Sequence, residues 1–208
     1  GRRTKRPRGG SGKDKADMYT ILMLNQKGGV GKTTIADELA FALERRGKTV
    51  AFVTVDSQGG ATHEACDDPD YIETCDYQVV DTPGVIKEGV EDWCRAADLI
   101  LVPVLPSTRD TEATMRTLGV IRESGTSAKA FAIINCFYAY GILDRGLVDF
   151  FAGEGIPVLT KVPRTADLSK AAAAGVSVAE FAPRNKAVEV FDKLAEKVCE
   201  GLEEGNGQ

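Results

Sequence analysis

The chain has 208 residues, of which 43% are hydrophobic and 27% are charged, and its formal net charge is −5. This length and composition suit one globular α/β domain, and every apolar run is too short to cross a membrane. The five cysteines form no C-x-x-C pair, which excludes a disulfide framework, a zinc site and an iron–sulfur site and favours a reducing cytoplasm.

The first 17 residues differ in charge from the rest. They carry seven Lys and Arg against two Asp, a charge of +5, whereas the other residues carry 19 basic and 29 acidic groups, a charge of −10. With almost nothing apolar to bury, residues 1–17 are predicted to be disordered. Two interpretations stay open: a basic arm that touches nucleic acid or acidic lipid, and a remnant of expression or of an alternative start before Met18. Residues 18–208 are predicted to form a single domain.

From residue 18 onward, strand and helix patterns alternate. Apolar runs predict strands over 19–24, 49–55, 77–80, 99–104, 130–134 and 156–159. Helical spacing of apolar residues predicts helices over 34–46, 88–97, 109–123, 143–152, 167–174 and 184–203. This alternation predicts parallel strands joined by right-handed crossovers, and therefore an α/β fold with a doubly wound, mostly parallel sheet flanked by helices.

The most informative motif follows the first strand. Residues 25–34 read N-Q-K-G-G-V-G-K-T-T and lead directly into the first predicted helix. The glycines let the backbone curl so that successive N–H groups face phosphate oxygens. Lys32 is placed to reach the β- and γ-phosphates, and the Thr33 hydroxyl is placed to bind Mg²⁺. The match is too long to be explained as a plain turn.

Two aspartates end neighbouring predicted strands. Asp56 follows the second strand and Asp81 follows the third. Ligands of such sheets bind at the carboxyl ends of the strands, where a carboxylate serves the Mg²⁺ shell or orients the attacking water. Behind a phosphate loop, both are predicted site residues.

The motif departs from the ordinary phosphate loop. Gln26 stands where the first glycine is expected, and a second lysine, Lys27, follows it. The run K-G-G-V-G-K-T-T resembles the deviant Walker A motif of the ParA/MinD superfamily of dimeric P-loop ATPases. Segments 55–59, 79–83, 102–107, 133–135, 162–168 and 175–178 also resemble this superfamily, so the similarity covers nearly all of residues 19–200.

The resemblance implies an ATPase of weak basal activity that uses ATP and Mg²⁺. It implies catalytic roles for Lys27, Lys32 and Asp56, with Lys27 touching the nucleotide of the partner subunit. It implies magnesium ligation, directly or through water, by Thr33, Asp56 and Asp81. The implied nucleotide-binding residues are Lys27, Gly28, Gly29, Val30, Gly31, Lys32, Thr33, Thr34, Asn135 and Pro163, of which the last two would contact adenine.

Within this superfamily, the chain resembles small ParA-type DNA partition ATPases. That resemblance implies an ATP-dependent homodimer, non-specific double-stranded DNA, a ParB-like centromere-binding or activating protein, and a nucleoid-associated place in the bacterial cytoplasm. The acidic end of the chain argues against an anionic membrane surface. Two alternatives stay open, a positioning ATPase for a protein cargo and a metabolic ATP-dependent enzyme on the same fold.

Other features of the sequence carry less information. Thr54 and Ser57 stand where relatives often have Asp and Pro, and residues 1–17 are not expected to form the N-terminal DNA-binding domain of larger partition ATPases. The only histidine, His63, is predicted to be a loop residue without special chemistry. Candidate DNA contacts are Arg164, Lys170, Arg184, Lys186, Lys193 and Lys197. Acidic residues are interleaved with them, so a solvated helix face of mixed charge is the competing interpretation.

Overall fold

The computed structural model describes residues 18–55, 60–84, 89–107 and 111–203. The strands are β1 (Tyr19–Met23), β2 (Val50–Thr54), β3 (Tyr77–Asp81), β4 (Leu99–Val104), β5 (Lys129–Phe137) and β6 (Val158–Pro163). The helices are α1 (Lys32–Arg45), α2 (Pro69–Ile72), α3 (Val90–Ala96), α4 (Thr111–Glu123), α5 (Ile142–Gly153), α6 (Asp167–Ala174), α7 (Val178–Phe181) and α8 (Lys186–Glu203).

All six strands are parallel, in the order β2-β3-β1-β4-β5-β6. The chain moves from β1 to one side of the sheet, returns, and then continues on the other side of β1. The predicted doubly wound α/β fold is therefore confirmed. The strand order changes direction beside β1, so the carboxyl end of β1 is where this class of sheet binds ligands.

Alternate residues of the strands supply two separate cores. Ile21 and Met23 of β1 pack on the face covered by α1 and α8, whereas Leu22 and Leu24 pack on the opposite face, towards α3 and α5. This is the period of two expected of a strand that is buried on both faces. The central strands thus lie between two helix layers, and the carboxyl end of β3 carries Asp81.

The apolar stripe predicted for the last helix is present on α8. Ala187, Phe191, Leu194 and Val198 are buried against the sheet layer. Burying one side chain of the size of Phe191 or Leu194 stabilises the fold by about 2–3 kcal/mol. No helix in the described part of the chain is both long enough and apolar enough to span a membrane.

Two predicted strands differ from the structure by two residues or more, whereas the others agree to within one residue. The last strand begins at Val158 rather than at 156, because Ile156 closes the end of α5 with its N–H bonded to Phe151 O over 3.0 Å. The strand predicted over 130–134 extends to Phe137, past a register shift that places Cys136 at a φ of +53°. The last strand also continues to Pro163, past the predicted end at 159, so both strands extend further than predicted on their carboxyl side.

The sequence analysis also missed the short helices α2 and α7. Each has four residues, which is too short to show a repeating helical pattern of apolar residues. Local signals were present, however: Asp68 caps α2 ahead of Pro69, and Ser177 caps α7 by accepting the Glu180 N–H.

Candidate nucleotide site

The predicted phosphate loop lies between β1 and α1, at the carboxyl edge of the sheet. Gly29 and Gly31 have φ values of +77° and +93°, a left-handed conformation that favours glycine. At Gly31 the space is closed as well, because a Cβ there would lie 2.2 Å from Asn135 Nδ2. The curled backbone that the glycines predicted is therefore present.

The helix α1 begins at Lys32, two residues earlier than predicted, with Gly31 as its N-cap. Among the described residues, no side chain caps this end and no acidic residue lies in the first turn. The first amide groups of a helix carry a partial positive charge and have no partner within the helix. A helix end that has no side-chain cap and follows a glycine loop is suited to phosphate oxygens.

Both predicted lysines are at the loop. The Lys32 ammonium donates to the Lys27 carbonyl over 2.9 Å, and the Lys32 residue is only 6% exposed. Lys32 thus lies folded over the loop. Gly28 and Gly29, which follow Lys27, are exposed at the surface of the edge.

The Thr33 hydroxyl donates to Asp81 Oδ2 over 2.7 Å, so the structure brings these two predicted metal residues together. Asp81 is 1% exposed and ends β3, where it lies in register with Met23 on one side and Thr54 on the other. A hydroxyl and a carboxylate are hard oxygen donors of the kind Mg²⁺ prefers when phosphates and water complete its shell. Within the described residues, no cluster of three His, Cys, Asp or Glu side chains forms a closed metal site.

Asp56 and residues 57–59 lie outside the described residues. The preceding Val55 donates its N–H to the Asp81 carbonyl over 3.1 Å. The chain therefore enters the segment that contains Asp56 from a point directly beside Asp81.

Asn135 contacts the phosphate loop in this structure. Its Nδ2 donates to the Val30 carbonyl over 2.9 Å, and its Oδ1 accepts the Cys136 N–H over 2.8 Å. Pro163 ends β6 in register with Phe137. Adenine contact by Asn135 and Pro163 stays a prediction, and the geometry adds a positioning role for Asn135.

A cavity of about 710 Å³ opens next to these two residues. Its lining comes from the ends of β4, β5 and β6 and from α5: Leu105, Pro106, Ser107, Cys136, Tyr138, Asp144 and Arg164. The sequence analysis missed all of these except Arg164, which it assigned to DNA. A signal was available for two of them, because Leu105 directly follows β4 and Cys136 follows the strand predicted over 130–134.

The candidate DNA contacts do not form one patch. Arg184, Lys186 and Lys193 line a shallow groove whose other charged residues are Arg46, Glu189, Asp192 and Glu196. Lys193 pairs with Glu189 over 2.6 Å, and Lys170 pairs with Asp167 over 3.6 Å. Lys197 donates to the Leu159 carbonyl, and Arg164 lines the cavity next to Asn135 and Pro163.

His63 has more chemistry around it than the sequence predicted. Its Nδ1 lies 2.8 Å from Asp37 Oδ1 on α1, and its ring stacks on Phe52 at a centroid distance of 5.2 Å. Burial lowers the pKa of His63, but the hydrogen bond to Asp37 and the charges of Glu44 and Asp37 outweigh burial, and the net pKa is raised. Asp37 also accepts the Thr62 and His63 N–H groups, so this contact attaches the segment after residue 59 to the phosphate-loop helix.

Glu38, next to Asp37, is buried on the other side of α1. It is 4% exposed, its Oε1 accepts the Val178 N–H over 2.8 Å, and its Oε2 has no hydrogen-bond partner among the described residues. Burial raises the pKa of Glu38 to about 7, against the lowering effect of the Val178 hydrogen bond.

Comparison with known proteins agrees with this geometry. The chain is 30% identical, over 81% of its length and 90% of the relative's, to Maintenance of carboxysome distribution protein A of Halothiobacillus neapolitanus. It is 32% identical to the sporulation initiation inhibitor protein Soj of Bacillus subtilis, over 60% of this chain and 48% of Soj.

Solved structures show the same fold at lower identity. An ATP complex of McdA from Cyanothece aligns with a TM-score of 0.74 at 16% identity, covering 88% of this chain and 97% of that one. The Mg-ADP complex of MinD from Pyrococcus horikoshii aligns with a TM-score of 0.68 at 18% identity, covering 87% and 96%.

A family profile gives the assignment. Residues 21–178 match the CobQ/CobB/MinD/ParA nucleotide binding domain, a range that runs from β1 to the start of α7 and includes the phosphate loop and Asp81. The chain belongs to the CobQ/CobB/MinD/ParA family of nucleotide-binding domains.

Proposed function

We propose that the chain is a ParA/MinD-like positioning ATPase that binds Mg·ATP in the phosphate loop and hydrolyses it slowly. The observation that carries this proposal is the Thr33–Asp81 hydrogen bond of 2.7 Å beside the uncapped start of α1. It combines an oxygen pair suited to Mg²⁺ with amide groups suited to phosphates. McdA and MinD, which share the fold, have been solved with ATP and with Mg-ADP.

Each residue of the site has a separate task in this proposal. Thr33 and Asp81 would hold the magnesium shell, which supplies charge neutralisation at the phosphates when the ion is bound. Lys32 would leave the Lys27 carbonyl and turn its ammonium to the β- and γ-phosphates. The amide groups at the start of α1 orient the phosphate chain, and Asp56 would orient the attacking water. The cavity between Pro106, Tyr138 and Arg164 has room for the base.

Lys27 has a different task. Lys32 would already provide a cation to the phosphates within the same subunit, and Gly28 and Gly29, which follow Lys27, are exposed. We assign Lys27 to the nucleotide of a second copy, so that ATP drives formation of a homodimer. A subunit that binds only the ATP form converts nucleotide affinity into assembly.

Equilibrium binding of a fluorescent ATP analogue, together with release of phosphate from ATP, tests the nucleotide part of the proposal. Lys32→Ala should weaken binding by at least about tenfold and abolish turnover, because a cation at the phosphates is lost. Lys129→Ala, an exposed lysine at the opposite edge of the sheet, is the matched control and should behave as wild type. Absence of nucleotide binding by the wild-type protein would refute the proposal.

The cargo divides the proposal into two candidates. Partition of DNA by a ParB-like partner is supported by the similarity to Soj. Positioning of a protein assembly is supported by the longer match, which covers 90% of the carboxysome distribution protein. In both candidates the ATP-bound dimer holds non-specific DNA in a nucleoid-associated state, and a partner protein stimulates hydrolysis. A metabolic enzyme on this fold would do neither.

DNA retention separates these candidates from the metabolic alternative. Arg184 and Lys186 line the shallow groove at the start of α8. A dimer would contain two copies of this groove and therefore twice as many basic groups. The ATP form should bind unrelated DNA sequences alike, with an affinity that falls steeply with salt, and the ADP form should not. The double variant Arg184→Glu with Lys186→Glu should lose retention, whereas Lys129→Glu should keep it. Equal retention by the ATP and ADP forms would contradict the proposal.

A further inference from the structure

The helix α4 contacts the entrance of the phosphate loop through one buried hydroxyl. Thr117 is fully buried, and its Oγ1 accepts the Gln26 backbone N–H over 2.9 Å. The two residues are 91 positions apart in the chain. This is the contact by which α4 holds the backbone just ahead of the glycines.

The same hydroxyl is part of a buried network. It donates to the Ala113 carbonyl at 2.9 Å, with Asn25 Oδ1 a second acceptor at 3.4 Å. The Asn25 amide donates in turn to the Pro103 carbonyl on β4 over 2.8 Å. Since a hydroxyl has one hydrogen but can also accept, Thr117 satisfies the Gln26 amide whichever acceptor it donates to.

The contact lies at the position where the loop departs from the ordinary pattern. Gln26 stands where the ordinary phosphate loop has its first glycine. The Gln26 N–H is bonded to Thr117 on α4, so the N–H groups that could bind phosphates are those of later residues in the loop. A loop held at its entrance needs less ordering when nucleotide binds.

We propose that Thr117 is a positioning residue for the nucleotide site, which holds the entrance of the phosphate loop by accepting the Gln26 N–H. The inference rests on the proposed nucleotide function, but it concerns the geometry of the loop before nucleotide binds. Thr117 acts through Gln26 and touches no phosphate itself.

Thr117→Val removes the acceptor and keeps the shape, so the Gln26 amide loses its partner. Amide hydrogen exchange of peptides over residues 25–31 should then become at least about tenfold faster in nucleotide-free protein. The Kd and KM for ATP should rise about tenfold, and turnover at saturating ATP should change by less than about twofold, because bound nucleotide restores the loop. Thr117→Ser keeps the hydroxyl and should keep the exchange rate, the Kd and the KM near their wild-type values.

Thr114→Val is the matched control. Thr114 is buried one turn earlier on α4 and lines an apolar cavity with Leu105 and Phe150. The Thr114→Val variant should leave amide hydrogen exchange in residues 25–31 unchanged. Wild-type exchange in the Thr117→Val variant, or equally fast exchange in Thr117→Ser, would overturn the positioning role. If the wild-type protein bound no ATP while Thr117→Val still gave faster exchange, the proposed function would fail, and only the role of Thr117 in holding the backbone of residues 25–31 would stand.

Discussion

Gly84, in the loop after β3, packs against the backbone of Gly28 in the phosphate loop. A Cβ on Gly84 would stand 2.8 Å from both the Cα and the N of Gly28. Real Cβ atoms do not approach backbone this closely, so one of the two loops would have to move. The contact joins the segment that carries Asp81 to the backbone that would hold phosphate.

Gly84→Ala should therefore displace the phosphate loop and weaken ATP binding by about tenfold or more, while the two cores stay intact. Gly119→Ala is the control, because a Cβ at that helical position meets nothing within 4 Å. It should keep ATP affinity and raise the free energy of unfolding by up to about 1 kcal/mol. Titration with labelled ATP measures the affinity, and a thermal melt measures the stability. Unchanged ATP affinity in Gly84→Ala would show that the contact between Gly84 and Gly28 does not hold the phosphate loop in place.

The Thr33–Asp81 pair predicts a specific dependence on magnesium. Wild-type ATP affinity should be higher in Mg²⁺ than in EDTA, because the ion would bridge the phosphates to these two oxygen donors. Asp81→Asn should reduce that ratio to near one, whereas Asp92→Asn, an exposed aspartate on α3, should leave it unchanged. A wild-type ratio in Asp81→Asn would remove Asp81 from the metal shell.

Glu38 predicts that stability depends on pH. Its pKa is raised from 4.5 to about 7 in the folded protein, so the folded state holds this proton more tightly than the unfolded state. The stabilisation is complete below pH 4.5 and is lost as pH rises to about 7, at a total cost of up to about 3 kcal/mol. The raised pKa of His63 acts in the same direction.

Glu38→Gln keeps an acceptor for the Val178 N–H and removes the charge. The variant should melt several degrees above wild type at pH 8 and at the same temperature as wild type near pH 4.5. Glu112→Gln removes an exposed carboxylate that pairs with Arg116, and it should show no such crossover. A constant difference between Glu38→Gln and wild type at all pH values would show that proton binding at Glu38 is not responsible.

The sequence predicted most of the fold because its signals are local. The apolar strand Leu99–Val104 and the apolar stripe of α8 can each be recognised from the pattern of neighbouring residues. The phosphate loop is equally local, which is why its glycines and Thr33 could be assigned before any coordinates. Ile156 misled the strand assignment because an apolar residue at a helix end resembles the first residue of a strand.

Contacts between distant segments could not be predicted in this way. Thr117 meets Gln26 across 91 residues, and His63 meets Asp37 across 26. Nothing near Thr117 in the sequence distinguishes it from Thr114. The sheet order alone brings α4 to the loop, so these roles required the fold to be known.

In the proposed function, ATP binding switches the chain between one and two copies through Lys27. Light scattering of the purified protein with a non-hydrolysable ATP analogue and Mg²⁺ measures this most directly. We expect twice the monomer mass with the analogue and the monomer mass with ADP. Lys27→Ala should stay monomeric in both while still binding the analogue, and Lys129→Ala should match wild type. A wild-type protein that binds the analogue and stays monomeric, or a Lys27→Ala protein that dimerises as wild type does, would contradict the account.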